Sequence, residues 1–244
     1  MFVRQRLATI VVVLVLVLAG CGGADVTDDR EPYGVDAETD PEPVPGLTTS
    51  GVTNASALQD AHFDALETMS FRYNATVVRA DANGSVTFER TETHTIASLG
   101  SSATGETTSV EHTEAGADRT TLNWWLEDGT VHLHQHAGNE TTAWTDESLE
   151  FTDLATTPDL EAAYDSIDTI TESDGGDRYV LEGENVDIGA ITNATVTVVV
   201  HAEGYVESYR LEGVSHNESV TIRITLEPIE GGELEEPAWL ERAK

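Results

Sequence analysis

Cysteine occurs once in this chain, at Cys21, and lysine once, at Lys244. A single cysteine excludes an intrachain disulfide, so the folded part must hold together through burial and hydrogen bonding alone. Basic residues are scarce in general: twelve Lys and Arg stand against 45 Asp and Glu, a formal net charge of -33. The arginines are scattered, and a field of that sign repels phosphates, which excludes nucleic acid as a partner. A Gly-rich phosphate loop, a zinc-protease motif and a Gly-x-Ser-x-Gly elbow are all missing, so neither a cofactor nor catalysis is expected. No internal repeat of solenoid period appears.

The N-terminus is where the sequence is most specific. Arg4 and Arg6 precede an almost unbroken apolar run over residues 7–19, the basic head and short apolar core of a secretion signal. That run falls short of the roughly 20 residues that span a bilayer. It ends in Leu18-Ala19-Gly20-Cys21, followed at once by Gly22, Gly23 and an acidic stretch. This resembles the lipobox of lipoprotein signal peptidases, which implies cleavage before Cys21 and a diacylglycerol on its thiol. The membrane is then the first partner, reached through lipid on Cys21 at the outer face of the cell, where two acyl chains make a durable anchor.

The acidic excess would repel itself strongly at low ionic strength. At molar salt the Debye length is about 3 Å and that repulsion is screened, so the composition fits a halophilic, archaeal exterior. Six Asn-x-Ser/Thr sequons are present, at Asn54, Asn74, Asn83, Asn139, Asn193 and Asn217, none with proline in the middle. In an exported chain they are candidate glycosylation sites.

The sequence divides into a signal peptide (1–20), a lipid-anchored acidic linker (21–52) with Pro32, Pro41, Pro43 and Pro45, and a single domain (53–244). Leu58, Ala61, Ala65, Leu66 and Met69 lie at helical spacing, with Ser56 and Gln59 as a capping box. Beta-rich segments follow at 71–78 and 86–94, joined by Asn83-Gly84, and at 107–113, 119–127 and 130–136, the last two joined by Asp128-Gly129. A short helix is expected with Thr157 as N-cap and Pro158 at its first position. Strands return at 178–181, 195–202, 205–211 and 219–227. In the last of these Val220, Ile222, Ile224 and Leu226 alternate with polar residues, which predicts one dry face and one wet face.

This order, together with Tyr179-Val180-Leu181-Glu182-Gly183 and the hairpin from Val196 through Ala202-Glu203-Gly204 to Tyr209, resembles haloarchaeal lipoproteins of unassigned role. More remotely it resembles the LolA-like lipoprotein carriers and the mycobacterial LppX-like proteins. The resemblance implies an α+β fold in which a strongly curved antiparallel sheet, an unclosed β-barrel, is covered by two or three helices. It also implies a lipid, isoprenoid or other apolar ligand held against the concave face. Candidate lining residues are Leu122, Trp124, Leu126, Leu160, Tyr164, Ile167, Tyr205 and Tyr209; the plainer reading of each is a core position. A structural or protein-binding surface module without a cavity remains the alternative, and the sequence identifies no protein partner.

The densest titratable cluster is His132-Leu133-His134-Gln135-His136. On a strand these imidazoles share one face, each about 7 Å from the next. A metal would need favourable rotamers or a further ligand from a neighbouring strand, such as His94, His112 or a carboxylate. The competing expectation for His132, His134 and His136 is a solvated strand face.

Overall fold

The computed structural model describes residues 42–97, 102–149, 154–173, 175–230 and 234–242. The signal peptide, Cys21 and the first part of the linker lie outside the described residues. Among those described, no helix is long and apolar enough to cross a membrane.

Two short strands come first, β1 (Leu47–Thr48) and β2 (Gly51–Val52), paired antiparallel. They belong to the segment expected as linker, yet Val44 and Leu47 are fully buried in the core. Helix α1 (Ala55–Thr68) follows and buries Ala55, Leu58, His62 and Leu66. Its N-cap is Asn54, whose side chain accepts the Ala57 N–H at 3.1 Å; the expected capping box at Ser56 and Gln59 is not what starts the helix. Gly46, at φ 79°, fits beneath it, because a Cβ there would lie 2.2 Å from the Asn54 carbonyl oxygen.

The remaining strands are β3 (Phe71–Ala80), β4 (Val86–Ile96), β5 (Ala103–Thr113), β6 (Gly116–Glu127), β7 (Thr130–Ala137), β8 (Glu140–Asp146), β9 (Thr169–Glu172), β10 (Arg178–Ile188), β11 (Ile191–His201), β12 (Val206–Ser215) and β13 (Glu218–Pro228). They form one antiparallel sheet in the order β8-β7-β6-β5-β4-β3-β13-β12-β11-β10-β9. Consecutive strands pair within β3–β8 and within β9–β13, and a long-range pairing joins β13 to β3, with Leu226 opposite Tyr73. Helix α2 (Leu160–Tyr164) sits between β8 and β9, and a 3-10 turn at Leu240–Arg242 follows the sheet.

The α+β class holds, but the strongly curved half-barrel does not. This is an open eleven-stranded sheet beside a separate two-stranded one, and its outer strands β8 and β9 each pair on one side only. The reason lies in two strands that composition did not signal, Glu140–Asp146 and Thr169–Glu172, which extend the sheet at both ends. Among the described residues, helix α1 has 14 residues and helix α2 only 5.

Register places one side chain per strand in a continuous row on the inner face. Leu181, Val198, Tyr209, Ile224, Ala75, Glu92 and Thr107 are successive partners across seven strands. A second row runs from Tyr73 through His94 and Gly105 to Trp124 and Leu133. Helix α1 lies at the β11–β12 turn, where His62 Nδ1 accepts the Val206 N–H at 3.0 Å. Burial holds the His62 pKa down at about 4, so its imidazole is neutral, with the proton on Nε2.

Gly105 is a packing requirement. A Cβ there would lie 2.0 Å from His94 Nδ1 and 2.6 Å from the Trp124 ring, and neither side chain can retreat, because both are fully buried. Gly105→Ala should therefore lower the unfolding free energy by about 2 kcal/mol, read as a shift in the urea midpoint. An unchanged midpoint would show that the two rings repack freely.

Candidate functional site

Residues 154–159, which precede α2, lie against the inner face of the sheet, and Thr156 among them is held by one carboxylate. Glu92 projects from β4 into the interior and is 3% exposed. A buried carboxylate is costly unless every lone pair is engaged, and this one is surrounded. It accepts the Thr156 backbone N–H at 2.8 Å, the Thr156 hydroxyl at 2.6 Å and His94 Nε2–H at 3.2 Å, and it pairs with Arg90 Nε at 2.5 Å. Because carboxylate oxygens only accept, His94 must carry its proton on Nε2 in this contact.

The sheet grips the same loop from two more points. The Tyr73 hydroxyl donates to the Thr156 carbonyl, so the backbone donor, backbone acceptor and hydroxyl of Thr156 are all engaged. Arg90 Nη2 donates to the Leu154 carbonyl at 3.4 Å. Burial pushes the Glu92 pKa up, but hydrogen bonds from His94 and Thr156 and the Arg90 charge outweigh it, leaving it below its ordinary value. Burial and the neighbouring Glu92 charge push the Tyr73 hydroxyl pKa upward, which keeps it a donor.

Beyond Thr156 the loop forms one wall of a cleft. Thr156, Thr157, Pro158 and Asp159 face Ile188, Gly189 and Ile191 of the β10–β11 turn, with Tyr209, Leu211 and Ile222 as the floor, around about 160 Å³. The expected helix start at Thr157 and Pro158 is displaced: α2 is capped by Asp159, whose side chain accepts the Ala162 N–H at 3.1 Å. Thr157 and Pro158 are thereby left to line the cleft. Burial, helped by the Asp159 charge, raises the Tyr209 pKa, so its hydroxyl stays protonated beside an otherwise apolar floor.

Of the eight lining candidates from the sequence, Tyr209 lines this cleft. Trp124, Leu160, Tyr164 and Tyr205 are buried in the core, and Leu122, Leu126 and Ile167 pack against it half-buried. Ile188, Ile191 and Ile222 carried no distinguishing mark in the sequence. Ile222 was legible only as one member of an apolar alternation, and Ile188 and Ile191 as residues flanking a Gly-containing turn.

His132, His134 and His136 do share one face, the outer one, opposite Trp125, Asn123 and Thr121. That face is not solvated along its length. His132 and His134 are buried, and Trp239 of the C-terminal segment stacks on the His134 ring, with centroids 5.4 Å apart and planes 5° from parallel. His136 is exposed and meets His134 edge-on at 4.5 Å. His94 lies on the opposite, inner face. Among the described residues no group of three or more His, Cys, Asp or Glu is placed to hold a metal.

No family model matches the chain, and no curated protein matches it; the resemblance to haloarchaeal lipoproteins therefore has no match beside it. Solved structures give remote likenesses. A DUF1329 family protein from Desulfovibrio piger is 11% identical over 71% of this chain and 91% of its own, with a TM-score of 0.28. A LolA superfamily protein from Nitrosomonas europaea is 10% identical over 73% and 94%, with a TM-score of 0.29. A domain described as an outer membrane lipoprotein-sorting protein, from Vibrio parahaemolyticus, is 11% identical over 75% and 92%, with a TM-score of 0.27. Likenesses at this level do not say what this chain binds.

Glu92→Gln should lower stability at pH 7 by about 3 kcal/mol, the usual cost of breaking a buried charged network. The folded-state pKa of Glu92 is depressed, so its contribution is fully present above the unfolded value and is lost as pH falls through the folded one. The gap between wild type and Glu92→Gln should accordingly narrow in acid. Urea midpoints of both proteins at pH 7, 5, 4 and 3 check this, and a gap independent of pH would contradict it.

Proposed function

We propose that this chain is a lipoprotein, anchored through Cys21 on the outer side of a cell membrane, that binds one end of a lipid, isoprenoid or similar apolar molecule without transforming it. The observation that carries this reading is the cleft itself. An open space of about 160 Å³ floored by Tyr209, Leu211 and Ile222 and walled by Ile188, Ile191 and the 154–159 loop matches the ~150 Å³ apolar cavity that admits a benzene-sized molecule.

Its size limits what enters. If about five methylenes are buried at about 0.8 kcal/mol each, burial contributes about 4 kcal/mol, equivalent to a Kd near 1 mM. Binding of that strength matters where the ligand is concentrated, and a lipid-anchored domain works beside a membrane. The anchor raises the local concentration of membrane-derived ligand in the way any tether does. The acidic surface serves the salt environment, and Asp159 is the acidic residue at the cleft wall.

Two measurements test the reading. Titration of the domain with the neutral probe N-phenyl-1-naphthylamine should give saturable one-to-one binding, and Ile191→Trp, which fills the cleft, should weaken it at least tenfold while leaving thermal unfolding cooperative. Equal binding by both proteins, or none by the wild type, would remove the cleft as the site. Separately, full-length protein expressed in its own host should fractionate with membranes and Cys21→Ser should not; the same distribution for both would overturn the anchor.

A further inference from the structure

We propose that N-linked glycans are carried at one end of the large sheet, on Asn83, Asn139, Asn193 and Asn217, and that Asn54 and Asn74 remain unmodified. The strand pairing puts these four, from distant parts of the sequence, at the same end of the sheet. Ala80 pairs with both Val86 and Ser219, which puts the β3–β4 turn with Asn83 next to the β12–β13 turn with Asn217. Thr192 pairs with Val214, placing Asn193 at the same end. Ala137 pairs with Glu140 and Thr120, and Thr120 with Ser109 opposite Arg90, so the β7–β8 turn with Asn139 faces that way too. The turns at the opposite end, Asp128-Gly129 and Glu203-Gly204, contain no sequon.

Geometry separates the four from the other two. In an extended strand the side chains at i and i+2 point the same way but stand about 7 Å apart, which keeps the sequon hydroxyl from its asparagine; a bend brings them together. Asn193 and Asn217 adopt left-handed φ values of 49° and 66°, and Asn139 follows Gly138 at 59°. Asn193 also sits where the β11–β12 register jumps. Asn83 lies in a turn closed by Asp81, which accepts the N–H groups of Asn83 and Ser85, each at 2.9 Å. All four are exposed.

Asn74 is held in mid-strand between Thr225 and Thr93, half-buried and paired on both sides. Asn54 has its side chain committed as the cap of α1, and its backbone N–H donates to the Gly46 carbonyl at 3.2 Å. Neither can bend into a transferase site without breaking structure.

The co-substrate is an isoprenoid-phosphate-linked oligosaccharide. The asparagine Nδ2 bonds to the anomeric carbon, the bond from that carbon to the phosphate oxygen breaks, the isoprenoid phosphate leaves, and Nδ2 gives up one proton.

Glycopeptide mass spectrometry on the full chain purified from its own host tests this. The expected result is glycan on Asn83, Asn139, Asn193 and Asn217 and bare Asn54 and Asn74. Ser85→Ala, Thr141→Val, Thr195→Val and Ser219→Ala should each remove one glycan mass while keeping the asparagine that its turn needs. Glycan on Asn54 or Asn74, glycan missing from any of the four, or a chain without glycan would overturn the proposal.

Discussion

A carboxylate on the inner face of a sheet must be neutralised from every side, and the way Glu92 is neutralised determines where the rest of the chain can go. Arg90 and His94, one pleat away on either side of it along β4, supply two of its contacts. The remaining two come from Thr156, 64 residues later. The loop is therefore as necessary to Glu92 as Glu92 is to the loop. Without Thr156, a charged group would be left under-satisfied in the core; without Glu92, the described residues of the loop would keep their hydrogen bonds to Tyr73 and Arg90 and the packing of Leu154 and Ala155. With no disulfide available, this polar fastening replaces a covalent one.

The two faces of the sheet meet different demands. The inner face over β10 to β13 and β3 is closed by α1, α2 and the 154–159 loop, and packs as an apolar core. Toward β8 the outer face is partly covered as well, by the C-terminal segment that stacks Trp239 on His134 and buries Leu240. Among the described residues, the acidic side chains other than Glu92 keep contact with solvent and so remain hydrated. At molar salt their mutual repulsion is screened within about 3 Å, so the charge need not oppose the fold.

What could be read in advance was local, and what could not was relational. The alternation of Val220, Ile222, Ile224 and Leu226 identifies β13 and its dry face, because a half-buried strand has period 2. Asp128-Gly129 marks a turn, since Asp128 has φ 51° and Gly129 φ 76°. Glu140–Asp146 and Thr169–Glu172 escaped notice: they are edge strands with few buried side chains, so selection for an apolar face is weak there. Asn54 displaced the capping box at Ser56 because its side chain reaches the Ala57 N–H, which starts the helix two residues earlier. Glu92 gave no sequence signal at all among 45 acids. Its distinction lies in facing Ala75 and Thr107 across the ladder, a property of register. The cleft follows the same logic, since Ile188, Ile191 and Ile222 are neighbours only after three hairpins have formed.

The fastening also bears on how the cleft would bind. Its loop wall is pinned at Thr156 by Glu92 and at Asp159 by the start of α2, leaving Thr157 and Pro158 between two fixed points. Proline restricts φ to about -65°, so little conformational freedom remains to be lost when a ligand enters. A small cleft gains only a few kcal/mol from burial, and a mobile wall would forfeit much of that to ordering, at ~1–2 kcal/mol per residue. On the proposed reading, a carboxylate set deep in the sheet would let a space of about 160 Å³ retain most of the small binding energy that burial in its apolar lining would provide.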